Sequence, residues 1–329
     1  MKFMIVGYGS IGRRHMRNLL ALGERDIFLY RSKRSTLPED ELAGFQVETD
    51  LQKALDHAPQ GVIIANPTAL HLDVAIPAAE RGCHILLEKP VSNNLERIPE
   101  LKAALRRGGG RLLVGFQFRF HPCIQHAAAL LKEGAIGKPL SAQAHYGDYM
   151  PGWHPWEDYR KSYSARDELG GGVALTLCHP LDYLRWLLGE ISSVWAFTGQ
   201  ISEMKINVED VAEIGLRFAD GAVGSTHLDY YQQPPSHRFE LIGTQGTLCW
   251  DNADNILRLY RAGSGLWEEM PAPANFERNE MFLDEMRHFL AVARGEAEPV
   301  CSLADGERVL QIALAARQSS RSGLRVDLS

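Results

Sequence analysis

The sequence predicts an α/β protein in which an N-terminal, doubly wound parallel sheet is followed by a C-terminal α/β domain with a large, mostly antiparallel open sheet. Three observations support this fold class. An apolar run at residues 2–6 leads at once into a glycine-rich turn and a helical pattern. Strand-like and helix-like stretches then alternate to about residue 116, which is typical of parallel βαβ units. From about residue 190, apolar and polar residues alternate as in half-buried antiparallel strands.

The bulk composition is that of a globular protein with two domains. At 329 residues the chain exceeds one ordinary core, so we expect domains at 1–120 and 121–329, with the last helix free to pack back on the first. The chain is 45% hydrophobic and 23% charged. Its formal net charge of -6 offers no basic surplus for phosphates, so we expect no nucleic-acid partner.

The sequence shows neither a signal peptide nor a membrane-spanning stretch, and we expect no membrane partner. The cysteines are scattered and lack C-x-x-C spacing: Cys83, Cys123, Cys178, Cys249 and Cys301. This pattern favours reduced thiols and a cytoplasmic location. Residues of metal-binding type also lack a recognised ligand spacing, so we expect no metal site: His145, His154 and the neighbours Cys178 and His179.

The glycine-rich turn has the pattern G-x-G-x-x-G at residues 7–12. Gly7 permits the tight turn, Gly9 lets the backbone approach a pyrophosphate, and Gly12 allows the next helix to pack on the strand. Ser10 and Ile11 stand at the start of that helix, where N–H groups point to phosphate oxygens. The turn therefore predicts a dinucleotide-binding domain of the Rossmann type.

The residues after the second predicted strand, 27–30, bear on the choice of dinucleotide. An acidic residue there would bind the adenosine ribose of NAD, but the sequence has Arg31, Ser32, Lys33 and Arg34. Cationic groups suit a 2′-phosphate, so NADP is favoured and NAD is the other candidate. The alternative interpretation is a solvated basic loop.

Two further predicted strands also end in polar segments. Residues 61–65 lead into Asn66-Pro67-Thr68, and residues 84–87 lead into Glu88-Lys89-Pro90. Ligands bind beyond the carboxyl ends of the strands in a doubly wound sheet. We therefore expect these segments and the glycine-rich turn to line one crevice.

With these motifs the sequence resembles the Gfo/Idh/MocA oxidoreductases, named for glucose–fructose oxidoreductase and inositol dehydrogenase. Further matching residues follow in the same order along the chain: His71, Gly115 to Phe120 with Pro122, Gly170 to Gly172, His179 and Asp182. The resemblance implies that the cofactor contacts include Asn66, Pro67, Thr68, His71, Glu88, Lys89 and Gln117.

The resemblance also implies a sugar, polyol or nucleotide-sugar substrate that lies between two domains against the nicotinamide. Lys89 would stand at the reacting carbon, and His179 would be the proton-transfer residue. Such chemistry suits both side chains, because oxidation of a carbinol needs a group that accepts the hydroxyl proton and a donor that holds the forming carbonyl oxygen.

The sequence departs from the family at one point. In many relatives an Asp precedes the motif histidine by three or four residues on the same helix, whereas here Thr176 and Leu175 occupy those positions. Thr176 can hydrogen-bond a substrate or the imidazole, but it holds no negative charge beside His179. Either Lys89 carries more of the proton transfer, or a nearby tyrosine supplies the missing group.

Residues 151–160 are aromatic, contain proline and lack periodicity, which predicts a loop. One interpretation is a loop that covers the substrate; the other is a loop that packs its tryptophans under itself or against a neighbouring subunit. The substrate candidates in and around it are Arg119, Trp153, His154, Trp156, Tyr159, Tyr163 and Thr176.

The C-terminal part predicts antiparallel hairpins and two closing helices. Residues 212–218 and 224–230 are joined across Asp220-Gly221, and residues 239–243 and 247–251 across 244–246. The second closing helix begins at a predicted Ser302 cap. The resemblance implies that the open sheet is a subunit interface in a homodimer or homotetramer.

Taken together, these features predict an enzyme that transfers hydride between NAD(P) and a carbinol or carbonyl of a sugar-like small molecule. Two alternatives stay open. One is an enzyme that retains NAD tightly and uses transient oxidation for eliminative glycoside cleavage. The other is a non-catalytic, dinucleotide-binding regulator.

Overall fold

The computed structural model describes residues 1–32 and 40–328. It contains two compact units. The first comprises Met1–Gln117, Glu168–Gly170 and Arg278–Leu310, and the second comprises Phe118–Asp167, Gly171–Glu277 and the residues from Gln311 on. No helix within the described ranges has both the length and the apolar composition needed to cross a membrane.

The first unit is built on a six-stranded parallel sheet with the strand order β3-β2-β1-β4-β5-β6. Its elements up to residue 115 are β1 (Phe3–Val6), α1 (Ser10–Ala21), β2 (Ile27–Tyr30), β3 (Val47–Glu48), α2 (Leu51–Asp56), β4 (Gly61–Ile64), α3 (His71–Glu80), β5 (His84–Glu88), α4 (Ile98–Gly108) and β6 (Leu112–Gly115). All residues of β1, β4 and β6 are buried, as expected of parallel strands covered on both faces. The strand order reverses between β1 and β4, so the predicted doubly wound sheet is confirmed.

The second unit is built on a nine-stranded sheet with the order β14-β13-β12-β11-β7-β10-β9-β8-β15. Its helices and strands up to residue 271 are α5 (Pro122–Lys132), β7 (Pro139–Gly147), α6 (Val173–Thr176), α7 (His179–Leu188), β8 (Ile191–Gly199), β9 (Val211–Phe218), β10 (Val223–Asp229), β11 (Ser236–Gly243), β12 (Gly246–Asp251), β13 (Ile256–Arg261) and β14 (Leu266–Pro271). Strands β7 and β10 pair in parallel, whereas the other neighbours pair antiparallel. The mostly antiparallel sheet and both predicted hairpins are confirmed.

The two faces of this second sheet differ in their burial. Ala142 and Ala144 of β7, like Ile214 and Leu216 of β9, are buried. The residues that alternate with these, such as Gln143 of β7, lie on the opposite face of the sheet together with their register partners on the neighbouring strands. This second face is called the open face below.

Two long helices and a short strand complete the chain: α8 (Arg278–Arg294), α9 (Leu303–Ser322) and β15 (Val326–Asp327). Helix α8 belongs to the first unit, where the Asn279 side chain donates a hydrogen bond to Oδ1 of Asn18 in α1 at 3.0 Å. The predicted cap of α9 is confirmed, because Ser302 Oγ accepts a hydrogen bond from the Asp305 N–H at 3.2 Å.

Candidate functional site

The glycine-rich turn of the first unit has the backbone that a dinucleotide requires. Gly7 has a φ of +85°, and a Cβ on Gly12 would lie 2.3 Å from the Gly7 carbonyl oxygen. Larger residues would therefore strain the turn or push α1 away from it. A Cβ on Gly9 would instead meet no heavy atom within 4 Å, so the backbone at the start of α1 is accessible. This geometry fits a pyrophosphate bound at the end of β1, where the strand order of the sheet reverses.

Arg31, the first residue after β2, lies beside this turn. Its side chain is 4% exposed, and its guanidinium carbon lies 5.6 Å from the centroid of the Tyr8 ring. Arg31 is therefore held against the turn and is not part of a solvated loop. Ser32 is exposed, and the remaining predicted phosphate-binding residues, Lys33 and Arg34, lie outside the described residues.

Asn66 and Thr68 follow β4 at the same sheet edge. The Asn66 amide donates to the Leu70 carbonyl at 3.1 Å, whereas its buried Oδ1 has no hydrogen-bond partner among the described residues. Thr68 is 2% exposed and starts a short turn after Pro67. The Asn66 oxygen is thus an acceptor that a bound ligand could use, since buried polar atoms are rarely left unpaired.

His71, predicted to contact the cofactor, is 1% exposed and braces two loops. Its Nδ1 lies 3.0 Å from the Pro90 carbonyl oxygen, and its Nε2 lies 3.0 Å from the Asn66 carbonyl oxygen. Burial lowers the pKa of His71. A neutral imidazole donates from one nitrogen only, so one of these contacts is a hydrogen bond in that state. His71 thus contacts the loop at Asn66 and the segment after Lys89, and its predicted contact with the cofactor stays a prediction.

Glu88 and Lys89 stand at the carboxyl end of β5. The Glu88 carboxylate is 8% exposed; Oε1 lies 2.8 Å from Nε2 of His15, and Oε2 accepts from the Lys89 N–H at 3.2 Å. Burial would raise the pKa of Glu88, but the His15 hydrogen bond and the charges of His15 and Lys89 outweigh it and lower the pKa. The Glu88 carboxylate therefore stays ionised inside the fold and braces the half-buried Lys89.

Glu285 of α8 belongs to the same buried cluster and was missed in the sequence. It is 0% exposed, its carboxylate has no hydrogen-bond partner among the described residues, and one of its oxygens lies within 4.8 Å of ligand-type atoms of His15 and Glu88. Burial, followed by the charge of Glu88, raises the pKa of Glu285 well above its usual range. Glu285 lies three residues after Phe282 and four before Phe289, so the helical period places it on the apolar face of α8. This pattern could have revealed it from the sequence.

In the second unit, His179 is the first residue of α7. Thr176 is the last residue of α6, so the two side chains do not share one helix as the family pattern suggests. Both residues are 3% exposed. The hydroxyl of the neighbouring Tyr230 donates to the Ser164 carbonyl at 3.3 Å, and burial raises the pKa of Tyr230 well above its usual value.

His179 lies in a cluster of aromatic rings that the sequence did not predict. The Phe118 ring centroid lies 4.9 Å from His179 and 4.5 Å from His237. Tyr146 stacks on His237 at 4.0 Å, and its ring lies 6.2 Å from His179. The sequence indicated no particular tyrosine as a substitute for the missing Asp, and Tyr146 is one that lies near the histidine.

Arg119 is held by an internal ion pair. Its Nη2 and Nε donate to the Asp182 carboxylate at 2.7 and 3.0 Å, and both residues are almost fully buried. The guanidinium carbon also lies 5.6 Å from the Trp186 ring centroid. This bidentate contact holds the Arg119 guanidinium in place, and its predicted contact with the substrate stays a prediction.

The predicted loop at 151–160 contains only short 3₁₀ turns within an otherwise irregular path. Trp153 is half-buried with its ring 5.5 Å from Tyr230, and its Nε1 has no partner among the described residues. Trp156 is 52% exposed beside His154, whose Nδ1 lies 3.0 Å from Glu157. Tyr159 and Tyr163 are half-buried. One tryptophan thus packs inward while the other presents its ring to solvent.

Comparisons with known proteins match both units. Residues 1–116 match the model described as the oxidoreductase family with an NAD-binding Rossmann fold, and residues 124–249 match the Gfo/Idh/MocA C-terminal domain. Levoglucosan dehydrogenase of Pseudarthrobacter phenanthrenivorans is 28% identical over 87% of this chain and 84% of its own length. Myo-inositol 2-dehydrogenase of Thermotoga maritima is 26% identical over 97% of this chain and 96% of its own.

Solved structures agree with this result. A levoglucosan dehydrogenase in complex with NADH and levoglucosan has a TM-score of 0.86 at 25% identity, and the alignment covers 100% of this chain and 99% of that one. The two family models together span more than half of the chain. The chain belongs to the Gfo/Idh/MocA family of oxidoreductases, with an NAD-binding Rossmann fold.

Proposed function

We propose that this oxidoreductase transfers hydride between NAD(P) and a carbinol or carbonyl carbon of a sugar-like, polyhydroxylated small molecule. The observation that carries the proposal is the placement of three motifs on one sheet edge. The glycine-rich turn, the Asn66 segment and Lys89 follow the adjacent parallel strands β1, β4 and β5. The relatives named for levoglucosan and myo-inositol support the substrate class.

Lys89 and His179 are the proposed catalytic residues. The nicotinamide, when bound, would supply the hydride acceptor or donor. Oxidation of a carbinol releases the hydroxyl proton, and a positioned amine or imidazole can accept it. The ionised Glu88 fixes the backbone at Lys89, and the aromatic rings around His179 restrict its orientation. In this proposal Tyr146, rather than an acidic residue, assists His179.

NADP is the proposed cofactor, and NAD is the cofactor shared with the family. The support is Arg31, a cation held beside the glycine-rich turn, followed in sequence by Lys33 and Arg34. Glu41 does not cancel this positive charge on its own, because it already pairs with Arg17 and Arg13. A guanidinium at the end of β2 suits a 2′-phosphate better than a ribose hydroxyl.

The loop at 151–160 is the proposed substrate-recognition segment. Trp156 presents an exposed ring and Trp153 an unpartnered buried N–H among the described residues. An indole face can stack on a sugar ring, and an indole N–H can donate to a hydroxyl. His154 and Tyr159 are the polar candidates on the same segment, and Tyr163 follows it.

We also propose that the open face of the second sheet joins two copies of the chain. Trp195 and Phe197 of β8 are 59% and 53% exposed on that face. Trp195→Glu should reduce the molar mass measured by light scattering to that of one chain. Leu324→Glu, at a 67% exposed site off the main strands, should leave the mass unchanged. Equal masses for wild type and Trp195→Glu would exclude this interface.

The function is tested with purified protein, NAD⁺ and NADP⁺ and a panel of levoglucosan, myo-inositol, scyllo-inositol and D-apiose, with cofactor reduction followed by absorbance. We expect saturable reduction with at least one sugar or polyol and a higher kcat/KM with NADP⁺ than with NAD⁺. No turnover in either direction across the panel would contradict the proposed activity. A higher kcat/KM with NAD⁺ would overturn only the cofactor preference.

A further inference from the structure

Two histidines and an aspartate meet on the open face of the second sheet. His145 of β7 and His227 of β10 are register partners on parallel strands, and their rings stack with centroids 4.5 Å apart. Asp229 follows His227 by two residues and so shares its face. Asp229 Oδ2 lies 3.0 Å from Nε2 of His227 and 3.9 Å from Nε2 of His145. Three donor atoms of three residues thus converge within 4.8 Å.

The aspartate is fixed toward the imidazoles by the backbone. Its Oδ1 accepts hydrogen bonds from the N–H groups of Tyr231 at 2.8 Å and Gln232 at 2.6 Å, which leaves Oδ2 on the side of the histidines. Asp229 is 0% exposed. Gly147 on the adjacent end of β7 makes room for it, because a Cβ there would lie 2.2 Å from Oδ2. A buried carboxylate held this way needs a positive partner, which a protonated His227 or a bound metal ion would provide.

A second carboxylate orients one of the histidines. Glu213 of β9 is the register partner of His227 and accepts a hydrogen bond from its Nδ1. Carboxylates that bind the far nitrogen of a metal-ligating histidine fix its tautomer and raise its basicity. In the metal-free structure Nε2 of His227 donates to Asp229 Oδ2 at 3.0 Å, and a metal ion would bind there by displacing that proton.

We propose that His145, His227 and Asp229 form a binding site for a divalent transition metal, with Zn²⁺ the best match. Imidazole nitrogen and carboxylate oxygen suit zinc, and bond lengths of about 2.1 Å place tetrahedral ligand atoms about 3.4 Å apart. The observed distances of 3.0 and 3.9 Å bracket that value. The cation would cross-link β7 to β10.

This site shares no residue with the proposed hydride-transfer groups, although His145 directly precedes Tyr146 on β7. It belongs to the second sheet, and its ligands come from strands that are far apart in sequence. Ligand spacing along the chain therefore does not reveal it, although that spacing led to the expectation that the chain holds no metal. The proposed role of the cation is structural, because the cluster contains none of the residues assigned to catalysis.

The test uses tag-free protein dialysed against a chelator and titrated with Zn²⁺ by calorimetry and with Co²⁺ by visible absorption. We expect one ion per chain, with cobalt bands of four-coordinate intensity. His145→Ala and His227→Ala should each weaken binding at least 100-fold, and Glu213→Gln by about 10-fold. His126→Ala, at an exposed histidine of α5 in the same unit, should bind as wild type does.

Zinc should also raise the thermal unfolding midpoint of the wild type and of His126→Ala but not that of His145→Ala, because only bound metal stabilises the folded state. Absence of saturable binding to the wild type overturns the proposal. The proposal is also overturned if Zn²⁺ still binds to both the His145→Ala and the His227→Ala variants, or if His126→Ala abolishes binding. Circular dichroism of each variant separates loss of the site from loss of the fold.

Discussion

Glu88 and Glu285 place two carboxyl groups within 4.8 Å of each other in the buried core of the first unit, and the two groups hold opposite protonation states. Hydrogen bonding and charge from His15 keep Glu88 ionised against the cost of burial. Glu285 has no comparable partner among the described residues, so burial and the charge of Glu88 keep its proton in place. Two carboxyl groups at such a distance are rarely both ionised.

Glu285→Gln should therefore change how stability depends on pH. The folded-state pKa of Glu285 is raised, so the wild type loses stability as pH rises above the unfolded value near 4.5, and this loss continues up to the folded pKa. Gln mimics the protonated acid and removes that penalty. The variant's advantage over wild type should grow by up to about 1.4 kcal/mol per pH unit between pH 5 and 7.

Urea unfolding at pH 5, 6 and 7 measures this difference. The matched control is Asp284→Asn, an exposed neighbour on α8. Parallel stability profiles for wild type and Glu285→Gln would show that Glu285 is ionised in the folded protein.

Lys89→Ala should lower kcat by about 10²- to 10⁴-fold, the usual contribution of a positioned acid–base group. Binding of reduced cofactor, followed by fluorescence, should remain within a few-fold of wild type, because the turn at Gly9 and the loop at Asn66 do not depend on the amine. Lys53→Ala, an exposed lysine of α2, is the control and should leave both quantities unchanged. Wild-type turnover by Lys89→Ala would remove Lys89 from the catalytic assignment.

The first unit was largely predictable because its signals are local. Gly7, Gly9 and Gly12 specify a turn within six residues, and each apolar run that preceded a polar segment became a buried parallel strand. The position of Lys89 followed from the same logic, since the carboxyl ends of parallel strands share one edge.

Features that depend on distant residues escaped prediction. Strand β7 alternates small and polar residues, and only its partners β10 and β11 make Ala142 and Ala144 a buried face. The ion pair between Arg119 and Asp182 joins residues 63 positions apart, so no local pattern indicated it. The break between Thr176 and His179 has a local cause that was missed in the sequence, because Pro180 in the first turn of α7 has no N–H for the Thr176 carbonyl.

His121→Asn should reduce the loss of folding stability that the wild type shows as pH falls. His121 caps α5: its Nδ1 accepts from the Cys123 N–H at 3.2 Å, and its Nε2 lies 3.3 Å from Asn255 Oδ1. Burial lowers the pKa of His121 to about 4, so its contribution to stability is complete above the unfolded value near 6.5 and is lost as pH falls from there toward 4. The loss amounts to about 3 kcal/mol.

Asparagine is also a good N-cap, and it does not titrate. Urea unfolding between pH 4 and 7 should show a flatter acid limb for His121→Asn than for wild type. His126→Asn, at an exposed position of the same helix, should keep the wild-type limb. If His121→Asn loses stability in acid as steeply as wild type, another group is responsible.

Asp182→Asn should destabilise the protein by about 3–5 kcal/mol, because it leaves the Arg119 guanidinium buried without its counter-charge. The double variant Arg119→Met, Asp182→Leu removes both charges and should lose less stability than Asp182→Asn. We expect this because the destabilisation of the single variant comes from the buried guanidinium that has lost its counter-charge. Asp158→Asn breaks a pair with Arg160 at the surface and should cost about 0.5 kcal/mol or less. A double variant less stable than Asp182→Asn would mean that the attraction between the two ions, and not the stranded charge, dominates at this site.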